Sequence, residues 1–155
     1  MWPFGKKKST EIKKAAGEDN WALLQIEEGG KPIVIRMNTV ARGADIYPML
    51  PFRLGIAIPL HSPNEAGLPD KPEGQELYAI EDRLDAALGT AGQKVIIITH
   101  GGMREFVSYV ASVQLAHEFA KQVRAATNTH EVQYYIASDP EWTVFGDYKK
   151  LCKTN

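Results

Sequence analysis

Cysteine is almost absent: Cys152 is the one thiol in 155 residues. A lone cysteine closes no internal disulfide, so the fold is expected to form without oxidation. Long apolar runs are also missing, which excludes a bilayer-spanning helix. No apolar stretch follows Lys6, Lys7 and Lys8, so the N-terminus does not read as a secretory signal. These features together predict a cytoplasmic protein. Positive charge is not in excess: Lys plus Arg number 18 and Asp plus Glu 19, for a net charge of −1. Nucleic-acid binding draws on surplus positive charge to displace counterions, so nucleic acid is not an expected partner. Strong catalytic signatures are missing as well. There is no phosphate-binding glycine loop with its lysine, no nucleophile elbow and no His-Glu-x-x-His pair. His100-Gly101-Gly102 has the look of an oxyanion loop, but without a Gly-x-Ser-x-Gly partner it reads as a hairpin turn. No cofactor is implied.

What is present suits a globular chain. Apolar residues make up 44 % and charged residues 24 %, ordinary values for one domain of this length. Residues 1–20 stand apart. Lys6, Lys7, Lys8, Lys13 and Lys14 face Glu11, Glu18 and Asp19, which predicts a flexible basic tail. Trp2 and Phe4 beside the lysines leave weak contact with an anionic membrane surface as an alternative.

Residues 21–155 are predicted to form a single α+β domain. Two β-rich runs around Gly29-Gly30 give a hairpin over 21–40. Phe52, Leu54, Ile56, Ile58 and Leu60 alternate with smaller or polar residues, giving a strand with one apolar face. Asp70, Pro72 and Glu73 mark a helix start with a capping box. Leu77, Ile80, Leu84 and Leu88 continue its stripe, and Gly89 ends it. Val95-Ile96-Ile97-Ile98 reads as a covered strand, and the strand from Met103 returns after the 100–102 turn. Ser112 caps a second helix with Leu115, Phe119, Val123 and Ala126 inward. Val132, Tyr134 and Ile136 form a last strand, and a terminal helix is expected over 140–150.

The order β-α-β-β-α-β over 52–138 predicts a ferredoxin-like core: an antiparallel sheet with two helices on one face. The N-terminal hairpin either extends that sheet or covers its open face. A homodimer or a protein partner through that face is expected, with Gly55 and Ala57 permitting close approach.

Two groups of candidate site residues follow. The topology brings His61, His100 and His130 to one end of the sheet, and imidazoles from separate segments are metal ligands. Spread over three strands they start roughly 10–14 Å apart, so a shared metal requires the loops to fold inward. Arg53, Arg104, Glu105 and Tyr135 are candidates for binding, the arginines by meeting an acidic group on the open face or by cross-strand ion pairing. Glu81 and Asp82 point about 100° apart on their helix. They read as part of a solvated face with Arg83 and Asp85. Asp139-Pro140-Glu141-Trp142 reads as a helix opening, with Asp capping, Pro in the first turn and Trp burying area.

The chain resembles a bacterial domain-of-unknown-function family, number 695. The resemblance covers roughly residues 20–148. It is carried by Trp21, Gly67-Leu68-Pro69, Leu77 with Glu81-Asp82, Thr99 to Gly102, Arg104-Glu105, Tyr109 and Asp139-Pro140-Glu141-Trp142. Phe145 stands where the family pattern has a tyrosine. The family has no established activity, so the resemblance carries over no catalytic residue. Similar domains are joined to one like the ribonuclease E inhibitor B family, which implies regulation or protein binding. The expected function is therefore a non-catalytic binding or regulatory module. The alternative is a metal-dependent or small-ligand-binding enzyme at the end carrying His61, His100 and His130.

Overall fold

Strands that alternate apolar and small residues, beside one that is apolar throughout, demand cover on both faces of a sheet. A computed structural model shows how that cover is supplied; it describes residues 10–14, 21–39 and 49–153. Lys6–Lys8 with Trp2 and Phe4, and the loop around Gly43 and Pro48, lie outside the described residues. The elements are β1 (Thr10–Lys14), β2 (Trp21–Glu28), β3 (Lys31–Asn38), β4 (Phe52–Pro59), α1 (Lys71–Leu88), β5 (Gly92–His100), β6 (Met103–Val110), α2 (Val113–Ala126), β7 (Gln133–Ser138) and α3 (Thr143–Lys153). The strands make one seven-stranded sheet, β1-β2-β3-β5-β6-β4-β7, with every neighbouring pair antiparallel. The fold is α+β.

The hairpin of β2 and β3 turns through Gly29 and Gly30, whose φ values of 60° and 81° suit a two-residue turn. It extends the sheet: β3 pairs with β5, Ile35 opposite Ile98. Thr10–Lys14, which composition assigns to the tail, pair with β2 as β1.

The predicted starts of α1 and α2 are capped by side chains, whereas the terminal helix, expected from residue 140, begins at Thr143, so Pro140 precedes it. Asp70 accepts from the Glu73 backbone N–H at 2.9 Å and Ser112 from that of Leu115 at 3.1 Å. The Glu73 carboxylate does not close a capping box. It turns instead to the backbone N–H groups of His61 and Ser62. In α2 the buried face is Ala116, Phe119, Ala120 and Val123, while Ala126 is exposed. The two small alanines bring this helix close to the sheet.

α1 and α2 cover one face, over Leu54, Ile56, Ile58, Ile97, Phe106 and Val110. The other face was expected to be free of helices, and this expectation is corrected. α3, beginning at residue 143, lays Val144, Phe145 and Tyr148 with the preceding Trp142 over β2, β3, β5 and β6. The physical reason is the added strands. Leu24, Ile33, Ile35 and Met37 are nearly inaccessible, and bare to water they would form a large apolar patch.

Glu81 also departs from expectation. It is buried, accepting from Arg36 of β3 and Lys94 of β5, whereas Asp82 is exposed.

The loop after β4 docks on the β5–β6 turn through backbone bonds: Leu60 N–H to Gly102 O at 2.8 Å and Gly102 N–H to Gly67 O at 2.9 Å. Gly67 has φ 82°, and a Cβ there would lie 2.9 Å from the Gly101 nitrogen. Gly101 also has positive φ, but its Cβ would meet nothing within 4 Å. Gly67→Ala combines left-handed strain with a backbone clash, so a loss of about 3 kcal/mol is expected. Gly101→Ala carries only the strain, about 1 kcal/mol. Urea denaturation of the two variants checks the contrast.

Candidate functional site

β4 is small where it faces away from α1 and α2, and that is what shapes a cleft there. Gly55 pairs with Tyr135 of β7. A Cβ at 55 would lie 2.1 Å from Tyr135 Cε1, so glycine lets the phenol ring lie across β4. The Tyr135 hydroxyl then donates to Glu105 on β6. Burial, followed by the adjacent Glu105 charge, raises the Tyr135 pKa, so the phenol keeps its proton. The Arg53 guanidinium stands 5.8 Å from the ring centroid.

Arg53 is fixed by Asp139, its Nη1 donating to Oδ2 at 2.9 Å. Asp139 accepts from three other groups: the Tyr109 hydroxyl at 2.7 Å and the backbone N–H groups of Thr143 and Val144 at 2.8 and 3.2 Å. Burial alone would raise the Asp139 pKa, but these donors outweigh it and hold the carboxyl below its ordinary value. Burial would likewise lower the Arg53 pKa, and Tyr135 and Asp139 reverse the direction.

Arg53, Glu105 and Tyr135 line a cleft of about 550 Å³ between the sheet and α3. Arg53, Glu105, Tyr135, His100 and Tyr148 supply its polar side chains, and Ile98 and Met103 are part of its apolar wall. Three of the four predicted binding residues therefore share one cavity. Arg104 does not join them. It lies on the face under the helices, its Nε donating to Thr99 Oγ1 at 2.8 Å. Burial, then the nearby Arg36 charge, lowers its pKa.

The three histidines divide between the two faces. His61 and His130 stack with ring centroids 3.9 Å apart and planes within 10°. His130 Nε2 is 2.7 Å from Glu73 Oε2. His100 lies on the cleft side, its Nδ1 3.4 Å from the Pro32 carbonyl oxygen. Glu73 is a participant that motif searching missed. Its signal was available: position 73 falls four residues before Leu77, on the apolar stripe of α1, and an acid on such a stripe is set to be buried with partners.

A family model described as "Family of unknown function (DUF695)" matches residues 19–149. No curated protein and no solved structure matches the chain.

Asp139 gives a pH prediction. Its folded-state pKa is depressed from the ordinary 3.8, so its contribution is full above that value and is lost as pH falls through the lower folded value. Asp139→Asn leaves Arg53 without its anion and is expected to cost about 3 kcal/mol at neutral pH. The gap between variant and parent should narrow steadily as the solution is taken below about pH 4. Denaturant melts across that range measure it.

Proposed function

We propose, from the premise that this chain belongs to the DUF695 family, that it is a non-catalytic recognition module whose site is the cleft beneath α3. The observation that carries this reading is an imbalance of charge. Arg53 is already matched by Asp139. Glu105 accepts the Tyr135 hydroxyl but has no cationic partner among the described residues. A half-buried carboxylate beside an aromatic face and an apolar wall suits a cation on an apolar stem. A lysine or arginine side chain from a partner protein has that form. Arg53 and Tyr135 hold their protons and act as fixed donors, which favours recognition over proton transfer.

We infer also that residues 52–138 follow the ferredoxin-like plan. The order β5-β6-β4-β7, with β4 and β5 both antiparallel to β6, supports this. So does the placing of α1 and α2 on one face. β1, β2 and β3 widen that plan beyond β5.

The test uses Nα-acetyl-lysine methylamide as probe and its norleucine counterpart, which lacks the ammonium group, as control. Chemical-shift perturbation is expected at Glu105, Tyr135 and Met103 with the lysine probe alone. Glu105→Gln should weaken that binding about tenfold, the loss of one charge-assisted contact. Equal perturbation by both probes, or unchanged affinity in Glu105→Gln, would overturn the reading.

A further inference from the structure

Away from the cleft, three chain segments converge at the opposite face of the sheet end. His61 comes from the loop after β4, Glu76 from the second turn of α1, and His130 from the loop between α2 and β7. One donor atom from each lies within 4.8 Å of the others. We propose that His61, Glu76 and His130 bind a divalent transition-metal ion such as Zn²⁺, with Glu73 as the residue that positions the two histidines. This proposal is independent of the cleft.

The donor set indicates the metal. Two imidazoles and a carboxylate suit Zn²⁺, Co²⁺ or Ni²⁺, whereas Ca²⁺ and Mg²⁺ favour shells made of oxygen. Zn–N bonds of about 2.0–2.1 Å place tetrahedral donors about 3.3 Å apart. The observed spacing must contract by about 1.5 Å at most. Two of the three residues have room to move. The His61 side chain is 54 % exposed, and Glu76 is only partly covered and makes no ion pair among the described residues.

His130 is the fixed point, its side chain fully buried. Glu73 Oε2 engages its Nε2 at 2.7 Å, the carboxylate–histidine arrangement that orients a metal-bound imidazole. Its Nδ1 lies 3.0 Å from Thr129 Oγ1, a neutral contact that a metal at that nitrogen would replace. The same Glu73 carboxylate accepts from the backbone N–H groups of His61 at 2.6 Å and Ser62 at 3.5 Å. One buried acid thus holds one ligand ring and the backbone of the other. Glu73 and Glu76 bring two negative charges to this end, and a divalent ion balances both.

The experiment is calorimetric titration of the full chain with Zn²⁺ alone, joined to visible spectroscopy with Co²⁺. One ion per chain should bind with a dissociation constant below about 10 µM. The Co²⁺ form should show the intense d–d bands of a low-coordinate site, and EDTA should reverse both. His61→Ala and Glu76→Gln each should weaken Zn²⁺ binding at least tenfold, and Glu76→Gln should do so with the metal-free melting temperature unchanged. Glu73→Gln should weaken it 10–100-fold at unchanged stoichiometry. His117→Ala, an exposed histidine elsewhere, should bind as the parent does. Absence of binding at 0.1 mM Zn²⁺, or binding that survives unchanged in both His61→Ala and Glu76→Gln, overturns the site.

Discussion

The carboxylate of Asp139 is the joint of this molecule. It lies where β7 ends and α3 is about to begin, and it gathers donors from β4, β6 and the first turn of α3. Each is a charged or charge-assisted bond in a buried setting, the kind whose loss costs most. Through Tyr109 it orients the ring on which Trp142 stacks, with centroids 4.2 Å apart. Trp142 itself has φ 53°, in the left-handed region, a strain of about 1–2 kcal/mol. Its indole is wholly buried and its Nε1 donates to the Leu50 carbonyl at 2.9 Å. Removing such a side chain typically costs about 3–5 kcal/mol, so burial outweighs the strain. One acid therefore seats the helix over the second core and holds the arginine of the cleft.

Local chemistry was legible in the sequence, whereas packing between distant segments was not. The caps at Asp70 and Ser112, the glycine turns and the alternating strands all follow from neighbours in the chain. The partners of Glu73 and Glu81 do not. Glu81 meets Arg36, 45 residues away, and only the placing of the hairpin beside β5 makes that contact. Trp21 then stands 6.0 Å from the Arg36 guanidinium and 5.4 Å from the Lys94 ammonium, half-covering the ion pairs. The residues that carry the family resemblance are largely of this kind. Gly67 lets two backbones touch, Asp139 and Trp142 anchor α3, and Glu81 ties a helix to two strands.

The divided histidines have a single cause. All three were expected at one end of the sheet, and strand direction alone cannot say which face each side chain takes. β5 carries a register shift between Lys94 and Ile96. Before it, even-numbered Lys94 reaches Glu81 under α1; after it, the odd-numbered Ile97 and Thr99 face the helices. The extra residue reverses the alternation, as a bulge does. It thereby delivers His100 to the cleft and leaves His61 and His130 with Glu73.

The sheet divides two apolar cores, and the one beneath α3 joins segments made far apart in time. Cys152 Sγ lies 3.7 Å from Met37 Sδ across 115 residues of chain. At roughly 5–20 residues per second a ribosome needs on the order of ten seconds to make that interval. Throughout it, the apolar side of β2 and β3 has been translated while its helical cover has not. The nascent polypeptide thus exposes this apolar side for longest during its own synthesis.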